Sequence, residues 1–229
     1  MAPSAEWMPG EAAATTGAGR TSIPPNAFYV PSPVVLLSTQ TEAGEVDVSA
    51  MSAVGVVCLD PPILAVGIKP RRQTYKNIRR TGSFVVNLPL QDGLEVADYT
   101  GTRSWRKEPE KVEKAGLEVA RLPESGLPYL PSCPISMACT LIGNLGRNEL
   151  GLDMPPSHQV VLGRMTECSV DSTWVGEDEV RLEDMPILVY LNRVYAGRGD
   201  VLGIQRFTDD PAKREAKMRE YRSLGVRQE

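Results

Sequence analysis

Short apolar runs, each closed by a residue that breaks regular structure, constrain the fold of this 229-residue chain most strongly. From residue 34 onward the runs are rich in Val, Ile and Leu and end at Gly, Pro, Asp or Asn, as strands do. The candidates are VVLLST, VGVVCL, ILAVGI, SFVVNL, ISMACTLI, QVVLGRMTECSV and PILVYL. Because long helices between the runs are missing, the pattern predicts a mainly-β barrel rather than a parallel nucleotide-binding sheet.

Turn and helix signals lie between these runs. Ala43 and Gly44 predict a turn after the first run. Residues 71–81 predict a short helix, with Thr74 as a possible N-cap and Gly82 just past its end. Two further short helices are predicted over residues 92–99 and 109–115.

The chain divides into three segments. Residues 1–26 are rich in Ala, Gly, Thr, Ser and Pro without periodicity, which predicts a flexible N-terminal arm. Residues 27–208 hold all the strand candidates and are predicted to be one domain. Residues 209–229 are predicted to form a charged C-terminal helix or tail.

Composition argues against several partners. The formal net charge of −4 and a pI near 5.3 give no general reason to bind nucleic acid or an anionic membrane. There is no apolar run of about 18 residues and no secretory signal pattern, so we expect a cytoplasmic protein. The four cysteines form no C-x-x-C pair and have no histidine at zinc spacing, so we expect no metal site.

One basic segment is the strongest candidate for an anion site. In KPRRQTYKNIRR, Arg71, Arg72 and the Thr74 hydroxyl meet the start of a predicted helix, where free N–H groups and the helix dipole suit a phosphate. A solvated basic helix face is the alternative interpretation. The sequence has no Gly-rich phosphate loop and no G-x-S-x-G elbow, so an enzyme built on it would borrow its reactive group from a cofactor.

The stretch PVVLLSTQTEAGEVDVSAMSAVGVVCLDPPILAVGIKPRRQTYKNIRRTGSFVVNLP closely resembles the flavin reductase-like, FMN-binding split-barrel proteins, including flavoredoxins. Further segments resemble the same family in the same order: KVEKAGLE, CPISMACTL, SHQVVLGRM and PILVYLNRVYAGRGDVLG. The resemblance implies a mainly-β, six-stranded antiparallel split barrel with a few short flanking helices. It also implies a homodimer with FMN at the subunit interface.

The resemblance assigns candidate cofactor-binding residues. Arg71, Arg72 and Thr74 would take the phosphate, and Asn87 would lie near the cofactor, although a turn-capping role for Asn87 is an equal alternative. The flavin would be lined by a loop over residues 46–53, with candidates Asp47, Val48, Ser49, Ala50, Met51, Ser52 and Ala53.

Two further residues match family positions. His158 is the only histidine and stands where the family has a histidine near flavin and nicotinamide, which makes it the candidate catalytic residue. Lys111 aligns with a lysine that approaches the flavin from the neighbouring subunit, where a cation would stabilise reduced flavin. For each the alternative is an ordinary surface or structural residue.

Two departures from the family bear on the substrate. Asp47 stands where relatives usually have Asn, and an ionised carboxylate beside the flavin would disfavour the reduced anion. Ala53 stands where flavoredoxins often have Trp, which opens space near the ring.

The function that the resemblance implies is an FMN-dependent oxidoreductase. The first hypothesis is an NAD(P)H:flavin reductase, with NADH or NADPH as transient donor, which supplies reduced flavin or electrons to a partner such as a monooxygenase. The alternatives are a flavoenzyme that retains FMN and acts on its own organic substrate, and a non-enzymatic FMN-binding protein.

Overall fold

The computed structural model describes residues 15–16, 20–21, 23–176, 180–197, 199, 216 and 219. Its main element is one sheet in which every neighbouring pair of strands is antiparallel. In chain order the strands are β1 (Val35–Gln40), β2 (Val46–Met51), β3 (Val54–Cys58), β4 (Ile63–Ile68), β5 (Ser83–Leu88), β6 (Ile135–Leu145) and β7 (Gln159–Val170). The predicted mainly-β fold class is confirmed, with seven strands in this sheet rather than six.

The sheet closes on itself. Its strand order is β2-β1-β5-β6-β7-β4-β3, so the two edge strands are consecutive in the chain and are joined by Ser52 and Ala53. The Gly67 N–H on β4 donates to the Ala53 carbonyl at 2.7 Å, which ties the joining residues to the far side of the sheet. The barrel seam therefore runs through residues 52–53.

Smaller elements flank the barrel. The helices are α1 (Gln73–Thr81), α2 (Leu94–Thr102) and α3 (Lys111–Lys114). A second sheet contains Ser32–Pro33, β8 (Leu188–Leu191) and β9 (Val194–Gly197). Two-residue hairpins pair Ala120–Arg121 with Pro128–Tyr129 and Thr15–Thr16 with Arg20–Thr21, and short 3-10 turns occupy Ala27–Tyr29, Gln91–Gly93, Ser172–Trp174 and Leu182–Asp184.

Two terminal predictions fall largely outside the described residues. Most of the predicted arm, residues 1–26, and nearly all of the predicted tail, residues 209–229, belong to the part that the structure does not describe. They stay predictions. Among the described residues, no helix is both long enough and apolar enough to cross a membrane.

The first helix begins later than predicted. It starts at Gln73, and its N-cap residue Arg72 makes no side-chain capping bond. The prediction that Thr74 is the N-cap is wrong, because Thr74 lies inside the helix and its hydroxyl bonds to Asp47 instead. The predicted end is confirmed, since Gly82 adopts the left-handed conformation with φ 70° that lets the chain leave the helix.

Strand β2 corrects the expectation of a loop over residues 46–53. The turn at Ala43 and Gly44 is confirmed, with Gly44 at φ 84°, but it pairs β1 with β2 rather than with the run VGVVCL. Because side chains alternate along a strand, Val48 lies in a buried cluster with Ala97 of α2, while its neighbours face the other way. Only residues 52–53 of the expected loop connect two strands.

The barrel interior is filled by apolar side chains from several strands. Leu37, Val66, Phe84 and Val161 are almost fully buried in one cluster. Gly163 on β7 is required there, because a Cβ at this position would lie 2.4 Å from the Phe84 ring. Because the interior is packed, the polar concavity lies outside it, at the seam between the barrel, α2 and the β8–β9 hairpin.

Candidate functional site

A cleft of about 340 Å³ opens at the barrel seam. Its floor is formed by residues 50–53 together with Gly67 of β4 and Gly101 of α2. A Cβ on Gly67 would lie 3.0 Å from the Ala53 Cβ, and one on Gly101 would lie 3.2 Å from the Ala50 Cβ. The two glycines thus let neighbouring backbones approach closely, and the floor carries only small side chains apart from Met51.

One wall of the cleft is cationic. Lys69 and Arg72 supply its charge, and we call these two residues together with the adjacent His158 the cationic wall, because all three line the cleft. The Arg72 guanidinium donates to the carbonyls of Gly101 at 2.7 Å and Arg103 at 3.2 Å, both at the C-terminal end of α2. These bonds hold the guanidinium at the cleft while it satisfies carbonyls that the helix end leaves open.

His158 is half-buried in this wall. Burial lowers the pKa of its imidazole below the ordinary value of 6.5, and the nearby charges of Lys69 and Arg72 lower the pKa further. The ring is therefore neutral at pH 7. Its Nδ1 lies 2.9 Å from the Ser157 hydroxyl oxygen, which fixes the orientation of the ring.

The opposite wall comes from the β8–β9 hairpin. Asn192 and Arg193 both have positive φ, at 44° and 65°, which makes the tight turn that carries Arg193 to the cleft. Behind it, the Tyr195 hydroxyl donates to Asp98 at 3.1 Å and ties the hairpin to α2. Burial and the adjacent Asp98 raise the pKa of Tyr195 to about 12, so its hydroxyl remains a donor.

A buried group of polar side chains lies beneath the floor. The Lys111 ammonium is 2.8 Å from the Asp47 carboxylate and donates to the Ser49 hydroxyl at 3.1 Å. The Thr74 hydroxyl donates to the other Asp47 oxygen at 2.7 Å. We call these four residues the internal charge cluster; all are at most 2% exposed.

Burial and the ion pair act in opposite directions on the pKa of Lys111. Burial lowers the pKa of Lys111, while the contact with Asp47 acts in the opposite direction. Because the pair is fully enclosed, removal of either partner would leave the other charged group without compensation. The cluster joins α3, β2 and α1, and therefore holds the strand that continues into the cleft floor.

Most of the sequence-predicted site residues fall into three groups, whereas Val48 packs in the buried cluster with Ala97 and Asn87 is buried on β5. Arg72, His158 and residues 50–53 line the cleft. The internal charge cluster lies under the floor, and Arg71 is exposed and outside the cleft lining. Their roles toward a cofactor stay predictions.

The structure gives Asp47 and Lys111 partners within the chain, and the expectations that they meet a flavin stay predictions. Asp47 is not a carboxylate facing the cleft, since Lys111 and Thr74 occupy its oxygens inside the fold. Lys111 contacts β2 of its own chain, whereas the resemblance implied an approach to the flavin from the neighbouring subunit.

Asn87 is fully buried on β5, away from the cleft lining. Its amide nitrogen donates to the Leu36 carbonyl and the Ser38 hydroxyl, and its amide oxygen accepts from the Leu130 N–H and the Ser136 hydroxyl. Its side chain therefore joins β1, β5 and β6, so a direct contact with a cofactor would require these bonds to break.

Several cleft residues were not among the predicted site residues. Lys69 stands just after β4 in the basic segment already noted, and its place at a strand end could have suggested it. Tyr190 and Tyr195 flank the hairpin turn, where paired aromatics around Asn-Arg give a weak signal. Gly67, Gly101 and Asp98 carry no signal without the three-dimensional packing.

Comparison with known proteins identifies the family. Residues 27–198 match the sequence model of the flavin reductase like domain. The chain belongs to this family. The closed antiparallel sheet of this flavin reductase-like protein is a split barrel, the fold named for a solved flavin reductase structure that superposes on it.

Solved structures of flavin reductase-like proteins share its fold. Flavoredoxin of Desulfovibrio vulgaris (Miyazaki F) superposes with a TM-score of 0.73 at 21% identity, covering 83% of this chain and 100% of that one. Nitrilotriacetate monooxygenase component B from Bacillus cereus gives a TM-score of 0.67 at 20% identity, covering 76% and 88%. At these identities the likeness shows the fold alone.

Curated relatives match over parts of the chain. An uncharacterized protein of Aeropyrum pernix is 37% identical over 82 residues, which are 36% of this chain and 31% of that protein. An NADH:riboflavin 5'-phosphate oxidoreductase of Streptomyces pristinaespiralis is 27% identical over 143 residues, covering 59% and 78%. The chain thus spans less than a third of the length of the Aeropyrum relative.

Proposed function

We propose that the cleft binds FMN and that the protein is an NAD(P)H:flavin reductase of the cytoplasm. The observation that carries the proposal is the joining of a floor of small residues to a cationic wall at the barrel seam. A planar ring system can lie against such a floor, and a phosphate needs the charge of such a wall. The internal charge cluster supports this arrangement from below.

The residues present fit FMN. The backbone of residues 50–53, with Gly67 beside it, would line the ring system, and Lys69 and Arg72 would bind the phosphate. Bound FMN would supply the capacity to accept a hydride from a nicotinamide and to pass electrons onward. The NADH-dependent name of the Streptomyces relative supports a nicotinamide donor.

His158 would orient the ligands in the cleft. Because its pKa is lowered, the ring enters the cleft as a neutral imidazole with one N–H donor rather than as a cation. A neutral donor can hold an amide or carbonyl group of a nicotinamide in place without competing with Arg72 for the phosphate. Tyr190 and Tyr195 would cover the open side and exclude water.

We also propose a homodimer with the flavin at the subunit interface. Edge strand β3 supports this, because it leads directly from Ala53 at the cleft and exposes apolar side chains. Val56 and Val57 are 55% and 59% exposed, and Leu59, just after the strand, is 85% exposed. A second copy packed here would bury the edge and close the cleft.

A partner monooxygenase is the proposed electron acceptor. The fold neighbour named nitrilotriacetate monooxygenase component B supports this idea.

Anaerobic mixing tests the reductase proposal. Purified protein loaded with FMN is mixed with NADH or NADPH, and the flavin absorbance band is followed. We expect rapid loss of the band with at least one donor. A band that persists with both donors would contradict the reductase and leave the non-enzymatic FMN-binding protein as the better description.

Ala53 favours a second candidate function, a flavoenzyme that retains FMN and acts on its own organic substrate. It is exposed at the cleft rim, where its small side chain leaves room for an organic substrate beside the floor. In that case FMN stays bound and free flavin is not turned over. Two results would favour this candidate. FMN would stay bound through gel filtration, and the natural protein would turn over a negligible amount of free flavin compared with an Ala53→Trp control.

A further inference from the structure

A second concavity of about 500 Å³ runs along α2 beside the cleft. We call it the α2 groove and define it by Glu95, Asp98, Tyr99, Thr102, Arg103 and Tyr195. The proposed flavin site uses the backbone carbonyl of Arg103 but assigns no role to the side chains of Glu95, Tyr99 or Arg103. The groove combines two aromatic rings, a guanidinium and two carboxylates.

The α2 groove is continuous with the cleft. Asp98, Thr102 and Tyr195 line both concavities. The hydrogen bond from Tyr195 to Asp98, 3.1 Å long, lies at the boundary between them. A ligand that enters the cleft at one end can therefore extend across this boundary into the groove.

Space favours such an extended ligand. Ligand sites commonly have volumes of about 300–1,000 Å³, so a cleft of about 340 Å³ suits a single flavin. The nicotinamide of a dinucleotide must reach the flavin, and its adenosine half then needs room elsewhere. The α2 groove provides that room directly beside the cleft.

The groove surface suits an adenosine. The Arg103 guanidinium lies 5.5 Å from the centre of the Tyr99 ring, and the Tyr99 hydroxyl donates to Glu108 at 2.9 Å, which holds the ring in place. Purine bases stack on aromatic rings and on guanidinium planes. Carboxylates such as those of Glu95 and Asp98 accept hydrogen bonds from ribose hydroxyls, as acidic residues do in NAD sites.

We propose that the α2 groove binds the adenosine half of the reducing dinucleotide and selects NADH over NADPH; this rests on the proposed reductase function. Two carboxylates at the groove repel a 2'-phosphate. The nearby cation is already engaged, because Arg103 lies over Tyr99 and is 3.9 Å from the Glu108 carboxylate.

Direct binding of a fragment tests the groove without turnover. Adenosine 5'-monophosphate (AMP) and adenosine 2',5'-bisphosphate are titrated into FMN-loaded protein and followed by nuclear magnetic resonance or calorimetry. We expect AMP to bind more tightly than the bisphosphate. Tyr99→Leu should weaken AMP binding about tenfold, whereas Tyr99→Phe, which keeps the ring, should weaken it about twofold or less.

Charge variants test the selectivity. Glu95→Gln combined with Asp98→Asn should raise KM for NADH and shrink the preference of kcat/KM for NADH over NADPH by about tenfold. Glu42→Gln is the matched control, since it removes one carboxylate in the exposed β1–β2 turn at the far end of β2. The preference of Glu42→Gln for NADH over NADPH should equal that of the natural protein.

The outcomes separate this inference from the proposed function. Bleaching of the flavin by NADH together with no AMP binding, or with AMP binding unchanged in Tyr99→Leu, would overturn the groove and leave the reductase intact. A preference for the bisphosphate would overturn the selectivity. AMP binding that is lost in Tyr99→Leu supports the groove even where the flavin is not bleached, which would instead contradict the reductase.

Discussion

The internal charge cluster and the cationic wall of the cleft contain similar side chains in opposite surroundings. Lys111 is 1% exposed and its charge is matched by Asp47 at 2.8 Å. Lys69 and Arg72, by contrast, face an open concavity, and among the described residues the hydrogen bonds of the Arg72 guanidinium go to backbone carbonyls. The partner and the burial of a cation, rather than its type or its position in a motif, therefore decide whether it can contact a ligand.

The largest effect should come from breaking the internal charge cluster. Lys111→Met leaves the Asp47 carboxylate buried without a counter-ion, so we expect the free energy of unfolding to fall by about 3–5 kcal/mol. Urea denaturation measures this. Asp47→Asn combined with Lys111→Met should recover much of the loss.

Lys114→Met is the matched control on the same helix. Lys114 pairs with Glu108 and Glu110 at 3.0 Å, but its side chain is 50% exposed, so we expect a loss of about 1 kcal/mol or less. Equal losses in Lys111→Met and Lys114→Met would contradict the distinction between buried and exposed cations.

The next largest effect concerns the cationic wall. Arg72→Gln removes the guanidinium that faces the cleft, and we expect FMN to bind about 10- to 100-fold more weakly, since a bond to a charged group contributes about 1.5–3 kcal/mol. Arg71→Gln is the control, because Arg71 is exposed and outside the cleft lining. Fluorescence titration of FMN compares the two variants. Equal losses of FMN affinity in Arg72→Gln and Arg71→Gln would contradict the distinction between these neighbouring arginines.

A smaller effect separates stability from binding at Thr74. Thr74→Val removes the donor to one Asp47 oxygen inside the fold, so we expect a loss of about 1–3 kcal/mol in the free energy of unfolding. FMN affinity should fall less than in Arg72→Gln. The opposite pattern, with stability unchanged and affinity strongly reduced, would mean that the hydroxyl binds the phosphate directly.

The smallest effect is the titration of His158. Burial and the charges of Lys69 and Arg72 keep the pKa below 6.5, and because the chain has one histidine its proton resonance is assigned without ambiguity. Lys69→Gln should raise the pKa. At pH values between the lowered pKa and 6.5, the unfolded state binds more protons than the folded state. His158 therefore makes the free energy of unfolding rise with pH in this window and lowers that free energy in more acidic solution. A pKa above 6.5 in the ligand-free protein would contradict the account of the wall.

The fold was largely predictable because strand periodicity is local. SFVVNL, ILAVGI and QVVLGRMTECSV match β5, β4 and β7 residue for residue. Strand β2 was missed because VDVSAM is buried on both faces: Asp47 and Ser49 are held inside by Lys111, so alternation of apolar and polar residues does not mark an exposed face.

The candidate site was predictable only in part. A sequence motif indicates which residues lie near one another. It does not indicate which of them form hydrogen bonds to each other. Asp47 and Thr74 do so through a contact 27 positions apart, and Asp98 reaches Tyr195 across 97 positions. Pairs so distant in sequence leave no local pattern, which is why the hairpin wall and the α2 groove emerged only from the structure.

Recognition of the FMN phosphate by the cationic wall is tested by a paired titration of the natural protein with FMN and with riboflavin, which lacks the phosphate. The account predicts one FMN per chain and binding of riboflavin at least about tenfold weaker, because Lys69 and Arg72 then have no anion to meet. Equal affinities, or no binding of either flavin, would contradict it.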